Sequence, residues 1–104
     1  MKLWIDDVRP APEGYVWCRS TDEALKFICH KFEIITEISL DHDAGEFQYF
    51  GGDFINVLNK MEELKHVFNA DFSHIQFHLH SANPVGVANM RAIIEKNGWK
   101  EMKL

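Results

Sequence analysis

No stretch of this sequence approaches the roughly 20 consecutive apolar residues that a membrane-spanning helix requires, so no membrane partner is expected. Nor does any window gather lysine and arginine into a basic stripe. At a formal net charge of -5, the chain lacks the clustered positive charge that grips a long nucleic-acid duplex. A small phosphorylated ligand, or an RNA end held through a metal, is not excluded by that. Cysteine is scarce: Cys18 and Cys29 are the only two, and they share no metal-ligand spacing. With no secretory signal to argue for a disulfide, both read as reduced, partly buried thiols. The opening residues Met1-Lys2-Leu3-Trp4-Ile5-Asp6-Asp7 put carboxylates where a signal peptide needs its apolar run, so the expected location is cytoplasmic. Internal repeats and low-complexity segments are missing as well.

What is present suits one packed core. A chain of 104 residues is long enough for one and too short for two, which sets a single domain over 1–104. Lys2–Asp7 reads as a strand that the Pro10-Ala11-Pro12-Glu13-Gly14 loop must end. Tyr15–Arg19 is a second short strand. Ser20 or Thr21 caps a helix that runs to about His30. Glu37–Asp41 alternates polar and apolar residues and reads as a third strand. From Asp53 a helix begins, with Phe54, Val57, Leu58, Met61, Leu64 and Phe68 along one apolar face. His74–His80 is a fourth strand, Val87, Met90, Ile93 and Ile94 stripe a third helix that Asn97-Gly98 stops, and Trp99–Leu104 forms a short last strand. Strands separated by helices predict a parallel sheet, with helices on both of its faces.

In such sheets ligands bind beyond the carboxyl ends of the strands. Three polar clusters fall at those ends: Asp6-Asp7, Asp41-His42-Asp43 and His80-Ser81-Ala82-Asn83. Converging carboxylates repel one another unless a cation neutralises them, and oxygen ligands suit a hard ion. Asp6, Asp7, Asp41 and Asp43 are therefore candidate ligands for a divalent metal, Mg²⁺ or Mn²⁺, against the blander reading of solvated loop acids. His80, opening a polar loop, is a candidate for proton transfer, whereas His78 reads as a sheet-face residue. His42 has better hard-ion ligands on either side of it. Arg9 suits a phosphate or a surface ion pair equally, and Asn83, before Pro84, reads by itself as a turn residue.

The acid pair ending the first strand, Asp41 ending the third and Ser81-Ala82 ending the fourth resemble a receiver domain, the phosphoacceptor module of two-component signalling. That resemblance implies a flavodoxin-like three-layer sandwich whose five-stranded parallel sheet has the order 2-1-3-4-5. It also implies Mg²⁺ on the acid pair, a phosphoacceptor position at Asp41 and a phosphoryl contact from the Ser81 hydroxyl. Two departures accompany it: no Lys-Pro pair follows the fifth strand, and the last helix is absent. The motifs Asp6-Asp7-Val8-Arg9, Leu40-Asp41-His42-Asp43-Ala44-Gly45 and His80-Ser81-Ala82-Asn83-Pro84-Val85-Gly86 are similar to those of a divergent branch, the cyclic-phosphate processing receiver domains. Membership there implies metal-dependent phosphoester chemistry on a cyclic or terminal phosphate, carried by a nucleotide or an RNA end. Arg9 and Asn83 would hold the phosphate, and His80, Asp41 and Ser81 would be the catalytic set. The alternatives are a phosphoacceptor using Asp41 and a non-catalytic module that binds a phosphorylated ligand. No partner protein is indicated.

Overall fold

In the computed structural model, which describes residues 1–103, five strands and three α-helices alternate along the chain. These are β1 (Lys2–Ile5), β2 (Tyr15–Cys18), α1 (Thr21–Lys31), β3 (Glu37–Leu40), α2 (Ile55–Phe68), β4 (Gln76–Leu79), α3 (Pro84–Lys96) and β5 (Lys100–Glu101), with 3₁₀ turns at Phe32–Ile34 and Gly45–Phe50. All strand pairs are parallel and the order is β2-β1-β3-β4-β5, as expected for a receiver-like α/β fold. The expected last strand is shorter than Trp99–Leu104, and Leu104 lies outside the described residues. Among those residues, no helix is long and apolar enough to cross a membrane.

Local signals place the helices. The Ser20 hydroxyl accepts from the Glu23 amide at 3.1 Å and starts α1. Asn83 accepts from the Gly86 amide at 3.0 Å, and Pro84 behind it has no amide to lose at the first helical position. Helix α2 starts at Ile55 rather than Asp53 and ends at Asn69, whose φ of 57° is left-handed. Phe68, expected on its apolar face, is exposed at the last position of the helix. Of the two thiols, Cys18 is buried and Cys29 exposed.

The helices depart from the three-layer expectation. Residues 6–14 join β1 to β2 as a loop, since Pro10, Pro12 and Gly14 leave no helical stripe there. The other three connections each carry a helix and all step the same way across the sheet. Right-handed crossovers therefore put α1, α2 and α3 on one face. There Ala24, Ile28, Leu58, Met61, Met90 and Ile94 pack with Leu3, Ile5, Ile38, Leu40 and Phe77 in one core. The opposite face carries no helix and is polar over β3 and β4, with Glu37, Gln76 and His78 at least partly exposed and Ser39 buried among its neighbours. Its aromatic part, Trp4, Tyr15 and Trp17, is tied to the loop. The Trp4 indole donates to the Arg9 carbonyl at 2.9 Å, the Trp17 indole to the Asp6 carbonyl at 2.8 Å, and the Tyr15 amide to the Pro12 carbonyl at 3.2 Å.

This division sets different costs for neighbouring positions. Ile38→Ala removes a fully buried side chain from the helix-covered face and should cost about 2–5 kcal/mol. Gln76→Ala, on the paired strand and exposed on the other face, should stay within about 0.5 kcal/mol. Urea midpoints of the two variants, compared at constant slope, check this.

Candidate functional site

The parallel ladder runs one residue beyond the strands. The Asp41 amide donates to the Ile5 carbonyl at 2.9 Å and the His80 amide to the Leu40 carbonyl at 3.1 Å. Asp6, Asp41 and His80 thus stand side by side at the carboxyl ends of β1, β3 and β4, where their loops meet.

The two adjacent acids have opposite environments. Asp6 is 1% exposed and its carboxylate is fully engaged. Oδ1 accepts from the Val8 and Arg9 amides at 2.9 and 2.8 Å; Oδ2 lies 3.0 Å from His80 Nε2 and 3.1 Å from Arg9 Nε. Burial alone would raise its pKa, but these four donors and the arginine charge together hold it below the ordinary value. The Asp7 carboxylate receives no hydrogen bond from another residue among those described. Burial and the charges of Asp6 and Asp41 raise its pKa, against the opposing effects of its own backbone amide and of Arg19. Backbone crowds it on one side: a Cβ at Gly45, whose φ is +54°, would lie 2.4 Å from Asp7 Oδ2. Only glycine fits that turn.

Asp41 spends Oδ1 on the His42 amide at 2.7 Å and keeps Oδ2 open, with Arg9 Nη2 3.6 Å away. Asp6, Asp7 and Asp41 each present an oxygen within 4.8 Å of the others. Asp43, expected beside them, belongs to a second cluster with His42 and Asp53. His42 Nδ1 is 2.7 Å from Asp43 Oδ1, and its ring lies against Gly86, where a Cβ would meet it at 2.4 Å. Asp53 also accepts from the Ala44 amide at 3.0 Å.

The remaining expected residues are placed as follows. Arg9 bridges Asp6 and Asp41 and donates to the His80 carbonyl at 3.2 Å, with its side chain 53% exposed. The His80 ring is stacked on Trp4, centroids 3.9 Å apart and planes 5° apart. Burial lowers its pKa, against the opposing pull of Asp6. Its Nδ1 meets Ser39 Oγ at 2.8 Å, so both ring nitrogens are occupied. Ser81 Oγ accepts from the Asn83 amide at 3.1 Å and keeps its own proton to donate. Asn83 caps α3 and sets Nδ2 3.4 Å from Asp43 Oδ1.

Sequence reading missed Arg19. Its Nε and Nη2 donate to the Asp7 carbonyl at 3.1 and 2.8 Å, and its guanidinium sits 4.9 Å from the Trp17 ring and 4.8 Å from the Phe47 ring. Two aromatic rings from separate elements thus hold a second cation beside the acid pair.

Three carboxylates here meet two guanidinium groups, leaving one negative charge uncompensated. The donor set fits a hard divalent ion through Asp7 and Asp41, whose oxygens have free lone pairs; Asp6 is saturated by its own partners. The family model described as the cyclic-phosphate processing receiver domain matches residues 1–96. No curated protein and no solved structure matches the chain.

Proposed function

The chain belongs to the cyclic-phosphate processing receiver family, and from that premise we propose that it hydrolyses a cyclic phosphate on a nucleotide or an RNA end. The observation that carries this reading is a pair of carboxylates with unused oxygens, Asp7 and Asp41, flanked by two guanidinium groups. A bound Mg²⁺ or Mn²⁺ on that pair would neutralise it and polarise a phosphoryl oxygen. Arg9 and Arg19 each have one guanidinium nitrogen with no partner among the described residues, free to donate to phosphate oxygens. The Ser81 hydroxyl donates to the same group from the fourth strand end. Asn83 orders that loop and reaches toward Asp43. His80 serves through Asp6: it donates from Nε2 and holds that carboxylate, with Trp4 shielding the ring. In the reaction water adds to phosphorus, one ring P–O bond breaks, and the freed alkoxide takes the proton that the water loses.

The test is a panel of 2′,3′-cyclic nucleotides and cyclic-phosphate-ended oligonucleotides with Mg²⁺ or Mn²⁺. The wild type should give phosphomonoesters. Arg19→Ala loses a charged hydrogen-bond donor of about 1.5–3 kcal/mol, so KM should rise roughly tenfold or more. The turnover number stays put if Arg19 holds ground and transition states alike. A folded, cation-responsive protein that converts none of them would favour the binding-module reading. A stoichiometric adduct from acetyl phosphate, lost in Asp41→Asn, would favour the phosphoacceptor. The latter has the weaker support, since the base that reaches Asp41 is Arg9 rather than a lysine.

A further inference from the structure

Behind the site, on the helix-free face of the sheet, a chain of polar side chains runs from β4 back to Asp6. Ser39 is fully buried, and its Oγ lies 3.0 Å from His78 Nδ1 and 2.8 Å from His80 Nδ1. A hydroxyl carries one proton and two lone pairs, so at most one of these nitrogens can be bare and take that proton, and any other must donate to Ser39.

Asp6 decides which is which. Its carboxylate only accepts, so His80 Nε2, at 3.0 Å, must carry hydrogen. A neutral His80 ring then has a bare Nδ1, which takes the Ser39 proton. Ser39 in turn accepts from His78, whose hydrogen must sit on Nδ1. Every donor in the chain points one way: His78 to Ser39, Ser39 to His80, His80 to Asp6.

We infer that Ser39 and His78 are positioning residues that fix the tautomer of His80 and, through it, the orientation of the Asp6 carboxylate. Trp4 completes the lock by stacking on His80 from one side. Asp6 in turn holds the start of the loop, because its Oδ1 receives the Val8 and Arg9 amides. The inference shares Asp6 with the proposed site, but its readout does not involve turnover, so the two can fail separately.

The test is long-range ¹H–¹⁵N correlation of the imidazole rings at about pH 8, above the ordinary histidine pKa near 6.5, with rings assigned through His78→Gln and His74→Gln. His80 should carry its proton on Nε2 and His78 on Nδ1, the tautomer a free imidazole favours less. In Ser39→Ala, His78 should move its proton to Nε2. The Val8 and Arg9 amides should then exchange with solvent at least tenfold faster. A wild-type His78 protonated on Nε2 would overturn the inference by itself, so the decision stands even where Ser39→Ala does not fold. Unchanged exchange at both amides in a folded Ser39→Ala would break the link to Asp6 and overturn it equally.

Discussion

Asp6→Ala should destabilise the protein by about 3–5 kcal/mol, whereas Asp7→Asn, one residue on, should stabilise it at neutral pH. Removing the Asp6 carboxylate strands the Val8 and Arg9 amides, the buried His80 ring and one arm of Arg9. Against a total stability of about 5–15 kcal/mol, that is a large share. Asp7 has no such partners and is repelled by Asp6 and Asp41. The two therefore respond oppositely to pH. The folded pKa of Asp6 is lowered, so its contribution is present above the unfolded value and is lost as pH falls through the folded one. The folded pKa of Asp7 is raised, so stability is lost as pH rises from its unfolded to its folded value, and at neutral pH the whole penalty is in force. Asp7→Asn removes that penalty. Its gain should vanish below the ordinary aspartate pKa of about 3.9, where both states hold the proton. Urea melts at the two pH values check both signs, and a destabilised Asp7→Asn at neutral pH would contradict the account.

Much of this was legible in the chain. The strand ends carried their chemistry in plain view: Asp6-Asp7, Asp41 and His80-Ser81 stand one or two residues past β1, β3 and β4, and the parallel order brings them together. The clean alternation of Glu37-Ile38-Ser39-Leu40 was visible too. Strands covered on both faces are apolar almost throughout, so polar residues at every second position mean that one face meets solvent. The expectation of helices on both faces overrode that signal. Parity also separates the acid pair. Asp6 continues the face of Trp4 and Asp7 that of Ile5, which is how one came to be bonded to His80 and the other crowded by Gly45. Arg19 could not be read in this way. Its value depends on Trp17 and Phe47 meeting it from different elements, and Phe47 lies in a 3₁₀ turn that no propensity marked. Asp53 was hidden for a related reason: ahead of an apolar stripe it reads as a helix start, and only the fold carries it to His42 and Asp43.

Adding Mg²⁺ or Mn²⁺ should raise the melting temperature of the wild type, and this response should vanish in both Asp7→Asn and Asp41→Asn. A ligand that binds only the native state stabilises it by about 2.7 kcal/mol at a hundredfold excess over its dissociation constant. For a domain of this size each kcal/mol moves the melting temperature by roughly 4–8 °C, so the shift should exceed about 10 °C. The two variants separate binding from stability in the starting state. Asp7→Asn should melt higher than the wild type without cation and lower than it with cation, so that the curves cross as the ion is added. A general salt effect would shift all three proteins alike, because screening does not distinguish an amide from a carboxylate at one position. Asp43→Asn tells the two clusters apart. It leaves Asp7 and Asp41 intact and removes one member of the set with His42 and Asp53. If the ion is held by Asp7 and Asp41, Asp43→Asn keeps most of the shift. If Asp43→Asn abolishes the shift while Asp7→Asn preserves it, the cation belongs to His42, Asp43 and Asp53, and the phosphate site proposed between Arg9 and Arg19 loses its metal.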